Sequence, residues 1–169
     1  GTLDGFEAAV RIVLGQQVTV AAARTLVTRL VVRFGEAVAT PWPGLNRLFP
    51  SARSIAQADP QAIGTLGIVR QRVQALQALA RAVSLGEITL ETSADVQTTV
   101  TALRNLPGVG EWTAQVIAMR SLADPNAWPA TDIGLMHALG SRDTKHLTAL
   151  AEQIMTPRQV EEVAGKKEA

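Results

Sequence analysis

Apolar residues recur along this chain at spacings of three and four, the period of an α-helix, and no run alternates as a half-buried strand would. Asp4 precedes a stretch whose Phe6, Ala9, Val10, Val13 and Leu14 share one helical face, and its side chain suits an N-cap. Gly15-Gln16-Gln17 interrupts that helix, and Thr19 to Phe34 reads as a second one rich in Ala and Val. Pro41-Trp42-Pro43-Gly44 excludes continuous helix and predicts a surface loop. Short helices follow from Ser51 and from Asp59-Pro60, with Gly67 closing that piece. Further helices are predicted over Val69 to Leu85, Ser93 to Asn105, Glu111 to Leu122, Asp132 to Leu139 and Asp143 to Ile154. A last, weaker one covers Pro157 to Ala164 ahead of a mobile Gly165-Lys166-Lys167-Glu168 tail. The fold class is all-α, a compact bundle of many short helices without internal repeats.

Between the helices that end near Asn105 and begin near Glu111 lies a Gly-rich turn, Leu106-Pro107-Gly108-Val109-Gly110. Two glycines in so short a hairpin let backbone N–H groups face outward, and the next helix starts at once. A turn of this kind joined to a helix N-terminus suits a phosphate oxygen. A single carboxylate, Asp132, follows about two helices' worth of chain later. A carboxylate beside a phosphate clamp points to chemistry on a nucleic acid.

Composition narrows the classes. A chain of 169 residues with 47% hydrophobic content can bury a core, and one compact domain is the default. Cysteine is absent, which excludes disulfides, thiolate zinc sites and iron–sulfur clusters within the sequence. The histidines, His137 and His146, lack metal-ligand spacing, so no metal site is predicted from them and both read as structural or surface residues. No stretch is apolar enough to span a bilayer and no secretory signal opens the chain, so no membrane partner is expected. The expected setting is the bacterial cytoplasm, at the nucleoid, and the expected state is a monomer. The first residues already lie in a helical pattern, as in a piece of a longer protein. A net charge of +1 permits DNA binding without demanding it.

Three blocks carry a family resemblance: the Leu106–Gly110 hairpin with Trp112-Thr113-Ala114, the run Pro129-Ala130-Thr131-Asp132-Ile133-Gly134-Leu135, and Leu14-Gly15-Gln16-Gln17-Val18-Thr19-Val20-Ala21. In these the chain resembles the helix-hairpin-helix DNA glycosylases, and within them the alkylation-repair branch, DNA-3-methyladenine glycosylase II. The similarity runs from Gly1 to about Gln153. It implies a catalytic core over 1–155 and a divergent C-terminal helix and mobile tail over 156–169, without the β-rich N-terminal domain of the bacterial enzyme.

The resemblance makes Asp132 the catalytic carboxylate. The plainer reading of Asp132 is a helix N-cap, and both hold together if Thr131 takes the cap. Bifunctional relatives place a lysine where this chain has Trp112, and an indole cannot form their Schiff base. The implied activity is therefore a monofunctional glycosylase acting on alkylated bases in double-stranded DNA. Trp112 is a candidate to stack on a cationic base, against the reading of an ordinary helix-interface Trp, and Trp128 is a candidate for the pocket mouth. Leu106, Gly108, Gly110 and Thr113 are the implied phosphate-anchoring positions, and Gln16 and Gln17 lie in the implied minor-groove loop. Gln17 matches the wedge that fills the space left by a flipped nucleotide. No cofactor is implied beyond a monovalent cation at the hairpin carbonyls.

The resemblance breaks after Ala151-Glu152. Relatives continue with a Trp- and Arg-rich segment that walls the base pocket, whereas this chain reads Gln153-Ile154-Met155-Thr156-Pro157-Arg158-Gln159-Val160. The competing expectation is accordingly a non-catalytic helix-hairpin-helix DNA-binding module, or a degenerate glycosylase.

Overall fold

The computed structural model describes residues 2–155, and the predicted helix at Pro157 to Ala164 with the tail lies outside them. The chain runs α1 (Gly5–Gly15), α2 (Val20–Phe34), α3 (Ala52–Gln57), α4 (Pro60–Gly64), α5 (Arg70–Ser84), α6 (Val96–Arg104), α7 (Glu111–Ser121), α8 (Ile133–Ala138) and α9 (Thr144–Met155). Among the described residues there is no strand. An isolated antiparallel bridge, Ala37 to Arg47, closes the loop around Pro41–Gly44, whose Trp42 is exposed.

Local chemistry sets most boundaries. Asp4, Thr19, Ser51 and Asp59 each accept a hydrogen bond from a first-turn backbone N–H, which starts α1 to α4 where the sequence places them. One start differs from expectation. Ser93 does not open α6; Asp95 caps it instead, its Oδ1 accepting from Thr98 N at 2.7 Å. Both residues are competent caps, and the hydrogen-bond register selects the second.

Two compact units are distinguished, residues 2–127 and residues 128–155. In the first, α1 packs against α2, α5 and α7, while α5 also carries α3 and α4, and α6 lies on α7. Val10, Val13 and Leu14 of α1 are fully buried together with Leu30, Ile55, Ile63, Leu76, Leu79, Leu103 and Ile117. Each such side chain contributes roughly 1.5–3 kcal/mol on burial. Ala114 and Ala118 of α7 are also fully buried, and their small size lets the helix axes approach closely. The second unit contains α8 and α9, with Leu147 and Ala151 buried.

Candidate functional site

The Gly-rich hairpin forms as a tight turn between α6 and α7. Leu106 N donates to Leu103 O at 3.1 Å and Val109 N to Leu106 O at 3.2 Å, so the chain reverses within a few residues. Val109 is buried and Leu106 half-buried, which anchors the turn in the core while Pro107, Gly108 and Gly110 stay exposed. Gly108 has φ +75, the left-handed region that favours glycine. Gly110 is the N-cap of α7, and no side chain caps this helix. The N-terminal end of an eleven-residue helix therefore faces outward with its positive dipole end uncapped by a side chain. Nearby, Arg104 Nε lies 2.9 Å from Glu111 Oε2, tying the last turn of α6 to the first turn of α7. Both side chains are about half exposed, so the pair contributes at most about 1 kcal/mol. It does, however, offset a carboxylate that would otherwise repel an approaching anion.

The Gln16-Gln17 loop joins this hairpin directly. Gln16 Nε2 donates to Gly108 O at 3.1 Å and to Thr113 Oγ1 at 2.8 Å. Thr113 is buried, so its hydroxyl is directed inward rather than at solvent. The Gln16 carbonyl in turn accepts from Arg72 Nη2, near the start of α5. Gln17 is exposed with φ +53, a conformation costing a non-glycine residue roughly 1–2 kcal/mol. The strain shows that the loop is held rather than relaxed. Trp112 sits in the first turn of α7 and is half-buried.

Asp132 and Trp128 belong to the second unit. Asp132 is the N-cap of α8, with Oδ1 accepting from Leu135 N at 3.0 Å. The expectation that Thr131 takes the cap is thus corrected: Asp132 itself does. Its extended backbone places Oδ1 over the third residue of the helix, the usual capping geometry. Asp132 N donates to Pro129 O at 2.8 Å, so the carboxylate is braced at both backbone and side chain. A β-carbon added at Gly134 would lie 3.0 Å from Oδ1, which leaves glycine as the residue that does not crowd the carboxylate. Asp132 and Trp128 are both half-buried, and Pro129 between them is buried. His137, Arg142, Lys145 and His146 are exposed. Among the described residues no cluster of His, Cys, Asp or Glu could hold a metal ion.

Sequence reasoning missed Arg72, Ala75 and the Arg104–Glu111 pair. Arg72 reads only as a helix-start cation, and 56 residues separate it from its partner Gln16. Ala75 lies in an apolar stripe, yet its Cβ is the atom nearest the position where a side chain on Gly108 would begin. Neither contact has a local sequence signature.

Known proteins are similar to this chain in sequence and in fold. Over 134 residues the chain is 42% identical to a Mycobacterium tuberculosis protein named "Probable bifunctional transcriptional activator/DNA repair enzyme AlkA", covering 79% of this chain and 26% of that one. It is 37% identical over 135 residues to Escherichia coli "DNA-3-methyladenine glycosylase 2", covering 80% of this chain and 45% of that protein. The chain thus spans less than half the length of these curated relatives. The solved structure of a 3-methyladenine DNA-glycosylase from Archaeoglobus fulgidus superposes with a TM-score of 0.75 at 23% identity, over 90% of this chain and 53% of that one, which supports the fold. Residues 10–166 match the HhH-GPD superfamily of base excision DNA repair proteins, and the chain belongs to that family.

Proposed function

We propose that this chain is the catalytic core of a monofunctional DNA glycosylase that flips alkylated purines of the 3-methyladenine type out of duplex DNA and hydrolyses their N-glycosidic bonds. The observation that carries this reading is the family match over 10–166, which spans the Gln16-Gln17 loop, the hairpin and Asp132 in one stretch. The similarity to "DNA-3-methyladenine glycosylase 2" supports alkylated bases as the substrate class.

In this reading the hairpin and the N-terminus of α7 hold a DNA phosphate through main-chain N–H groups. Gln17 enters the stack as the base leaves it. The C1′–N bond breaks with its electron pair going to the base, so a cationic alkylated purine departs neutral without needing a proton. The Asp132 carboxylate stabilises the oxocarbenium character that develops on the sugar. Water then bonds to C1′ and gives up a proton, leaving an abasic site. Trp112 stacks on the cationic base, and Trp128 lines the entrance. The Gly108 carbonyl accepts from the Gln16 amide, and a monovalent cation at the hairpin would be held by carbonyl oxygens of this turn.

The second reading, a DNA-binding module without catalysis, rests on the departure from the family pattern after Glu152. Incubation with methylated duplex separates the two. Free methylated bases and intact abasic strands support the glycosylase. Duplex binding with no base released would select the module, and strand cleavage at the abasic site would overturn the monofunctional mechanism.

A further inference from the structure

The Gln16-Gln17 loop has a geometry that the wedge role alone does not require. Gln16 has φ −57 and ψ 124 and Gln17 follows with positive φ, +53, which fits the first central residue of a type II turn and the positive φ of its second. Type I and type II turns differ by a flip of their middle peptide. Only the type II sense forces the second central residue to positive φ, and glycine is its usual occupant. This chain has glutamine there. Some interaction must therefore hold the middle peptide in the disfavoured sense.

The middle peptide carries the Gln16 carbonyl, and Arg72 donates to that oxygen. The Gln16 side chain is fixed as well, through Gly108 O and Thr113 Oγ1. The same segment of α5 supports the hairpin, since Ala75 Cβ and the Gln71 carbonyl are the atoms nearest a side chain built on Gly108. The first turns of α5 thus brace both the exposed Gln17 and the Gly-rich turn.

We propose that Arg72 is a positioning residue for base flipping: by holding the Gln16 carbonyl it locks the turn that presents Gln17, and the Gln16 amide couples that wedge to the phosphate-gripping hairpin. The proposal rests on the glycosylase reading above. Arg72 touches no substrate in this account. It acts on the population of wedge-ready turns, and a charge-assisted donor is suited to overriding the local preference for type I.

The test uses the whole chain with Arg72→Ala, Arg72→Lys, Gln17→Ala and the double variant Arg72→Ala/Gln17→Ala. Flipping is read by fluorescence of 2-aminopurine placed beside an alkylated or abasic position. Affinity for undamaged duplex and the thermal midpoint are measured alongside. Arg72→Ala should lower the flipped fraction about tenfold, the worth of one charge-assisted hydrogen bond, with undamaged-duplex affinity and midpoint near wild type. Arg72→Lys should restore part of the flipping, because an ammonium can still donate to the Gln16 carbonyl. The double variant should flip no worse than Gln17→Ala alone, as expected of residues acting through one another. Additive losses in the double variant, or a parallel fall of flipping, duplex affinity and midpoint, would reduce Arg72 to a stabilising residue and overturn the proposal. Absence of flipping in wild type would instead remove the glycosylase reading, and this inference with it.

Discussion

A β-carbon placed on Gly108 would stand 3.1 Å from the Ala75 side chain, with the Gln71 carbonyl at 3.6 Å. The Gly-rich turn therefore packs closely on α5, leaving little room for a side chain at this position. Gly108→Ala meets both this crowding and the cost of positive φ, and is expected to destabilise the protein by about 1–3 kcal/mol. Urea denaturation measures the stability loss, and a gel-shift assay should show weakened duplex binding beyond it. Measured against Ala75→Gly alone, which carries its own cost as a glycine inside α5, adding Gly108→Ala should cost less than it does in wild type, by the part of the loss that φ does not impose.

Trp112 supplies a chemical test of mechanism. With no amine at that position, borohydride added during reaction on alkylated duplex should trap no covalent protein–DNA adduct, and a trapped adduct would assign a lyase mechanism. Trp112→Ala should reduce excision of cationic alkylated purines by about 2- to 30-fold, the span of a cation–π contact, and reduce excision of neutral hypoxanthine less.

Asp95 links hairpin stability to pH. Hydrogen bonds from Thr98, first its side chain and then its backbone N–H, hold the Asp95 carboxyl below the ordinary carboxylate value, although the group is fully exposed. A depressed folded-state pKa means the stabilisation is fully present above the ordinary value and is lost as pH falls through the depressed one. Asp95→Ala should therefore lower the thermal midpoint at neutral pH, and the gap from wild type should close on acidification. A gap constant with pH would assign the effect to packing.

Main-chain anchoring predicts a shallow salt dependence. The chain carries a net charge of +1, and its proposed phosphate contacts are N–H groups, which release few counterions. The slope of log K against log salt should be no steeper than about −3 on undamaged duplex, corresponding to roughly three neutralised phosphates. A slope near −8 would point to a cationic surface not considered among the anchoring residues.

The helices among the described residues and most of their boundaries were legible in the sequence because caps are local: Asp4, Thr19, Ser51 and Asp59 each bond an N–H two or three residues away. The hairpin was legible for the same reason, its glycines marking backbone that other residues resist. Ser93 misled as a helix start because Asp95, a second competent cap, stands two residues on, and hydrogen-bond register decides between such neighbours; the plainer reading of Asp132 as an N-cap held. Arg72 was invisible because its partner is a backbone carbonyl, which has no residue type to pattern against. The inward direction of Thr113 was equally hidden, since a helix-start threonine reads the same whether it faces solvent or a glutamine from a remote loop.

The proposed catalytic role of the Asp132 carboxylate has a clean test, because the residue is also the cap of α8. Asparagine caps as well as aspartate, so Asp132→Asn should keep the hydrogen bond to Leu135 N and the fold while removing the charge. The measurement is the single-turnover rate of methylated-base release from alkylated duplex, wild type against Asp132→Asn, with duplex affinity determined for both. A loss of at least about 100-fold in rate at unchanged affinity is predicted, the scale of losing one electrostatic stabiliser of the transition state. Equal release by the two proteins would contradict the assignment, leaving Asp132 with the structural task of starting α8.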